Sequence, residues 1–218
     1  MKTPRVFIFL TIAGSLLSAT HVADAGLITN GSFEIGPLGP YPPPVAAFGF
    51  QAAGSDALAG WTIGGNGVDL IGTAWQASDG NYSLDMSGND AGSISQILNT
   101  IAGQTYEILF DLAGNPYDGS PVRTLEVSAA AAVQDYTFNI TGHTPTSMGW
   151  QTESFTFTAT GAETTLTFAS LDHSPFGPAL DNVRAVPEPS SFVLSSLLIA
   201  TFGLIWACKR PSIAVPGA

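Results

Sequence analysis

The sequence predicts an all-β fold, a two-sheet sandwich, on three observations. Short runs alternate apolar and polar side chains, clusters of Gly, Asn, Asp and Pro separate nearly all of them, and no stretch of the central chain carries a helical period. Alternation with a period of two puts every second side chain on one face of a sheet, so each run has one face to bury. About eight to ten such strands close most simply as a jelly roll.

Taken in order, the chain opens with a targeting segment. Residues 1–25 carry Lys2 and Arg5, an uncharged apolar stretch from Val6 to Ala19, and the small-x-small pattern Ala23-Asp24-Ala25. That is the pattern of a signal peptide, cut by signal peptidase after Ala25. From Gly36 to Gly60 alternation is weak and Pro37, Pro40, Pro42, Pro43 and Pro44 stand among glycines and alanines. A long surface loop of polyproline-like character, either disordered or a flexible cover, is expected there.

The strands follow at Tyr82–Ser87, Ser93–Leu98, Thr105–Gly114, Thr124–Ala129, Asp135–Ile140, Glu153–Thr160, Thr164–Ser170 and Ala179–Val186. The runs on either side of Gly161-Ala162-Glu163 are expected to pair as a hairpin. Trp61 and Trp150, each preceded by Gly and followed by strand-like sequence, are expected in the core.

Residues 187–210 change character. Pro187-Glu188-Pro189 leads into an uncharged run from Phe192 to Cys208, then Lys209 and Arg210, with residues 211–218 as a short tail. Seventeen residues span about 26 Å as a helix, a marginal transmembrane helix. The basic pair after it favours the cytoplasmic side, which leaves the domain before it facing outward.

Between these ends lie about 160 residues, the size of one domain with a substantial core. Residues 26–186 hold two basic residues, Arg123 and Arg184, against fifteen acidic ones, a formal charge of −13. So acidic a surface repels phosphate backbones and excludes nucleic acid as a partner, while neutral sugars and divalent cations remain compatible. Cys208 is the one cysteine, so an exported domain would hold no disulfide.

The succession "VPEPSS", one apolar run and "KR" resembles the PEP-CTERM sorting signal of Gram-negative bacteria that make extracellular polysaccharide. The resemblance implies an inner-membrane-anchored precursor processed by an exosortase, then release to the cell surface or extracellular matrix. The segments "LITNGSFEIG", "GWTIGGNGVDLIGTAWQASDGNYSLDMSGNDAGSISQ", "AGQTYEILFDLAGNP" and "FGPALDNVRAV" together resemble the choice-of-anchor C family, related to DUF642. That likeness covers nearly all of residues 26–186 and implies a galactose-binding-like β-sandwich.

Two constellations could carry chemistry. Asn30 and Glu34 near the start and Asp181 and Asn182 near the end are expected on first and last strands that lie close together. Their oxygens suit a calcium ion, and the resemblance implies one structural Ca2+ there; otherwise they satisfy main-chain groups, as Asn and Asp often do. For sugar, an aromatic ring beside polar side chains is the useful pattern. Trp75 with Gln76 and Asp79, and Tyr117 with Asn115 and Asp118, provide it in turn-like segments.

Catalysis has little to build on. Residues 26–186 have His143 and His173, no Cys and no G-x-S-x-G, and the neighbours Asp172-His173-Ser174 read as a turn, since triad members converge from separate loops. A carboxylate pair for glycan hydrolysis stays open. The expectation is therefore a non-catalytic module that binds or organises extracellular polysaccharide of the envelope or biofilm matrix. A secreted glycan-active hydrolase and an adhesive matrix protein without a sugar site are the alternatives.

Overall fold

The computed structural model describes residues 26–37, 39–42 and 46–186. The expected signal peptide, the sorting motif Pro187, Glu188, Pro189, Lys209 and Arg210 with its apolar run, and the tail 211–218 lie outside them. Among the described residues no helix is long and apolar enough to cross a membrane.

Those residues form strands β1 (Ile35–Gly36), β2 (Gly39–Pro40), β3 (Phe48–Gln51), β4 (Thr62–Gly65), β5 (Val68–Ile71), β6 (Ser83–Asp85), β7 (Gly92–Asn99), β8 (Thr105–Gly114), β9 (Val122–Ala129), β10 (Ala132–Asn139), β11 (Gln151–Thr158), β12 (Glu163–Ser170) and β13 (Pro178–Val186). All strand pairs are antiparallel. A five-stranded sheet runs β10-β9-β12-β7-β4, and a six-stranded sheet runs β11-β8-β13-β6-β5-β3. From β6 to β13 the chain passes repeatedly between the sheets, the habit of a jelly roll.

The alternation seen in the sequence is what fills the space between them. In β12, Leu166 and Phe168 are buried while Thr165 is exposed. Phe168 meets Phe110 of β8, from the opposite sheet, edge to face at 5.3 Å, and Phe110 meets Tyr136 of β10 at 5.1 Å. Each such pair contributes about 0.5–1.5 kcal/mol beyond its buried area. Trp61 is buried against Phe33 and Phe168, as expected, whereas Trp150 is only half-buried and donates its indole N–H to the carbonyl of Gln76.

Three expectations need correction. Glu153–Thr160 and Thr164–Ser170 are not a hairpin: β11 pairs with β8 in one sheet and β12 with β7 and β9 in the other. Each run has a face with two large buried apolar residues, Phe155 and Phe157 in one and Leu166 and Phe168 in the other, and two such faces bury more by opposing across the sandwich than by lying side by side. The segment from Gly36 to Gly60 is not all loop, since β3 adds an edge strand on β5. Asn30 to Glu34 is not a strand either. Asn30 and Phe33 take φ of 54° and 59°, and the segment is a turn held by Phe33 N–H to the Asn30 carbonyl. Gly31 stands against the main chain of Val183, where a Cβ would lie 1.8 Å from the carbonyl oxygen.

Candidate functional site

Leu70, Leu84, Leu180 and Leu112 stand in register across β5, β6, β13 and β8 and are buried in the core. By alternation the neighbouring rows face outward. Those rows carry Asp69 opposite Asp85, and Asp181 opposite Asp111, yet all four are buried. An outward row of buried carboxylates requires a cover.

The segment between β5 and β6 supplies it. Trp75 Nε1 donates to Ser83 Oγ at 2.9 Å, and the amides of Ser78 and Asp79 donate to Asp181 Oδ2 at 2.8 and 2.9 Å. The Ser78 hydroxyl donates to Asp111, which also accepts from Thr152 and Asn182. Glu34 Oε1 takes the amides of Asn81 and Tyr82 at 2.7 and 2.8 Å. Those side-chain donors hold the Asp111 carboxyl below its usual range despite burial. Burial raises Asp181 to about 7 against three amide donors.

Of the four residues expected to hold calcium, Glu34 and Asp181 are thus anchors of this cover. Asn30 spends its side chain on the main chain of Ile35 and Ala59. Asp181 accepts three amides, its Oδ1 that of Asn182, while Asn182 donates to Asp111. A calcium ion needs six to eight converging oxygens, and among the described residues no group of three or more His, Cys, Asp or Glu is placed to hold a metal. As they stand, the side chains of Asn30, Glu34 and Asp181 are engaged with main-chain groups and that of Asn182 with Asp111.

Where the cover meets the end of the sheet, a cavity of about 280 Å³ opens. Trp75, 5% exposed, walls one side, and the rings of Phe48, Tyr117 and Phe176 line the rest, with Phe48 and Tyr117 each 58% exposed. Tyr117 is held by its hydroxyl on the Ala74 carbonyl and its amide on Asn115 Oδ1. Asp69, Asp85, Asn89 and Asn115 supply the polar side chains of the lining. Asp85 is saturated: Asn115 Nδ2 donates to Oδ2 at 2.7 Å, and the amides of Ser87 and Gly177 donate to Oδ1. Asp69 is 8% exposed and its Oδ1 accepts no hydrogen bond from the described residues. Burial raises Asp69 to about 6, and burial together with the facing Asp69 raises Asp85 to about 7.

So Trp75, Asn115 and Tyr117, expected as members of two separate sites, line one cavity. Gln76, Asp79 and Asp118 do not line it: the Gln76 main chain holds Trp150 and Pro145, and Asp118 caps Gly119 and accepts from Arg123 through its carbonyl. Asp69, Asp85, Phe48 and Phe176 escaped the sequence reading. A second hollow, about 580 Å³, lies at Thr62, Ser95, Ile97 and Thr165 on the five-stranded sheet with no ring and no charge in its lining, and a third, about 300 Å³, brings Asp79 and Asn182 together beside Arg184 but has no ring; the cavity at Trp75 is the one of the three that joins rings to carboxylates.

The turn reading of Asp172-His173-Ser174 holds. His173 faces Asp90 at 3.3 Å, while Ser174 Oγ bonds within its own turn to Phe176.

A family model described as "Protein of unknown function (DUF642)" matches residues 26–186. Among curated proteins, Halomucin of Haloquadratum walsbyi is 30% identical over 193 residues, which cover 83% of this chain and 2% of that protein, so the chain spans a small fraction of it. Solved structures of similar shape include a family 61 carbohydrate-binding module in complex with β-1,4-galactotriose (TM-score 0.44, 14% identity, 60% of this chain and 90% of that one). A family 35 module from Clostridium thermocellum (0.45, 14%, 66% and 100%) and the CBM22-1 xylan-binding domain from Paenibacillus barcinonensis Xyn10C (0.43, 18%, 66% and 97%) are others.

Proposed function

Because this chain belongs to the DUF642 family, whose description assigns no activity, we propose from its own cavity that it is a non-catalytic module binding extracellular polysaccharide. The observation that carries the reading is the meeting of Trp75, Tyr117 and Phe48 with Asp69 and Asn115 in one sugar-sized hollow. A sugar ring has an apolar face that packs on aromatic carbon and hydroxyls that seek carboxylate and amide partners. The signal-peptide pattern of residues 1–25 and the sorting pattern from Pro187 to Arg210 support delivery to the cell surface through signal peptidase and an exosortase. The envelope or matrix polysaccharide outside is then the partner at hand.

Two carboxylates in one cavity raise the hydrolase alternative, since glycoside hydrolysis uses a pair. The contacts of Asp85 weigh against it. With three protein donors on its two oxygens it is fixed as an acceptor, which leaves Asp69 without a second free carboxylate.

A glycan array probed with the full chain, and with its Phe48→Ala and Tyr117→Ala variants, tests the reading. Saturable binding lost in both variants is the expected result. Binding that neither variant weakens, or none to any glycan, overturns it, and release of reducing ends from a bound glycan would replace it with the hydrolase.

A further inference from the structure

We propose that the cavity selects a sugar ring bearing a free primary amine, with Asp69 receiving the ammonium group; this rests on the sugar-binding reading above and specifies its substrate class. Asp69 and Asp85 face each other across β5 and β6 on the same side of the sheet. Like charges so placed are destabilising unless something of opposite sign lies near. Among the described residues no Lys, Arg or His lines the cavity. The two arginines are spent elsewhere, Arg123 on the carbonyls of Asn115 and Asp118 and Arg184 beside Asp111. Arg123 lies near enough to Asp85 to offset part of its charge from beneath, but among the described residues no positive side chain stands against Asp69, and that charge is left to the ligand.

The two carboxylates are not equivalent, and the difference points inward. Asp85 has its donors; Asp69, more than nine-tenths buried, lines the cavity with a carboxylate whose Oδ1 has none. A buried acceptor left without a donor is costly, so a donor from the occupant is favoured. An ammonium brings three N–H donors and the charge together. The rings of Trp75, Phe48, Tyr117 and Phe176 suit it too, because aromatic faces attract cations, most strongly where water is excluded. A neutral sugar brings donors without charge, and a uronic acid adds a third carboxylate. An N-acetylated amine loses the charge. A divalent cation would find one free carboxylate where it needs six to eight oxygens.

Calorimetric titration of the full chain with a glucosamine trisaccharide, its N-acetylated counterpart, a neutral glucose trisaccharide, calcium chloride and a lysine-containing tripeptide tests the assignment. The glucosamine oligomer is expected to bind at least tenfold more tightly than the other four. Asp69→Asn, close to isosteric, should erase that preference, and Tyr117→Ala should weaken binding of every sugar. Competition by free glucosamine against N-acetylglucosamine on the unaltered chain gives the same comparison without a variant. Equal or tighter binding of an acetylated or neutral sugar overturns the ammonium assignment and leaves the sugar reading intact. Preference for the lysine peptide or for calcium overturns the amino sugar in favour of that occupant. Failure of every sugar to bind overturns the underlying reading as well.

Discussion

Trp75 and Ser83 are joined by a buried hydrogen bond, indole N–H to hydroxyl oxygen, at 2.9 Å. It pins one wall of the cavity to the outer face of the six-stranded sheet. Ser83→Ala leaves a buried N–H without an acceptor, which costs about 1–3 kcal/mol. Urea unfolding should report that loss. Tyr117 is the contrast, since most of its ring faces solvent. Tyr117→Ala is expected to leave the unfolding free energy within about 0.5 kcal/mol while weakening glycan binding, and a large fall in stability would recast Tyr117 as a packing residue.

Stability should fall as pH rises from about 5 to 8. Burial lifts Asp69 to about 6 and Asp85 and Asp181 to about 7, while an unfolded chain releases these protons near pH 4. Between those limits the native state holds protons that the unfolded state has lost, so stability drops as pH climbs through the window. Asp111 is lowered and works in the opposite sense, but only as pH falls below the ordinary carboxylate range. Each kcal/mol lost lowers Tm by about 2–4 °C in a chain of this size. A Tm that stays flat or rises from pH 5 to 8 would contradict the burial of these groups.

Arg123 is 1% exposed and holds the cavity rim from beneath, through the carbonyls of Asn115 and Asp118. Hydrogen bonds from a charged donor are worth about 1.5–3 kcal/mol each. Arg123→Met keeps much of the packing volume and removes the donors, so a loss of about 3 kcal/mol is expected. Ligand affinity should fall with it, because Asn115 positions Tyr117. Calorimetric melting beside a glycan titration reads both.

How much of this was legible in the residues varies with the physics of each part. The runs of β7 and β9 to β12 announced themselves, because one face is buried and the other more open, and β8 and β13 were legible from their apolar residues although about half of each is buried on both faces. β3, β4 and β5 did not: "FGFQ" and "TIGG" are short and glycine-bearing, and "VDLI" is buried on both faces, so no alternation survives. Trp75 and Tyr117 were legible singly, but a cavity is made by register and crossover, which bring residues 69, 85 and 115 together. The one available signal was chemical. Asp69 in "VDLI" and Asp85 in "SLDM" are carboxylates inside runs otherwise fit for burial, and an acid there is there for a partner.

Ala130 sits in the two-residue turn between β9 and β10 with φ of 51°. This left-handed conformation costs an L-residue about 1–2 kcal/mol. Glycine adopts it freely but gives back part of the gain as entropy of the unfolded chain. Ala130→Gly is expected to raise stability by about 0.5–1 kcal/mol, with the glycan affinity unchanged since the turn lies outside the cavity. A destabilised variant would mean the turn does not hold that conformation in solution.

Glu34 and Asp181 hold the segment from Ser78 to Tyr82 from two sides, each through main-chain amides. If that is their work, a chelator should leave Tm where it is, and Glu34→Gln should cost about 1–3 kcal/mol by weakening two charge-assisted bonds. Asp181→Asn carries the same loss at a more deeply buried site and gains something back at high pH, where an ionised Asp181 is itself penalised by burial. The two variants should therefore differ most at pH 8. A Tm lowered by chelator and restored by calcium would instead mean that these oxygens gather around an ion, and the amides around Asp181 would have to give way to it.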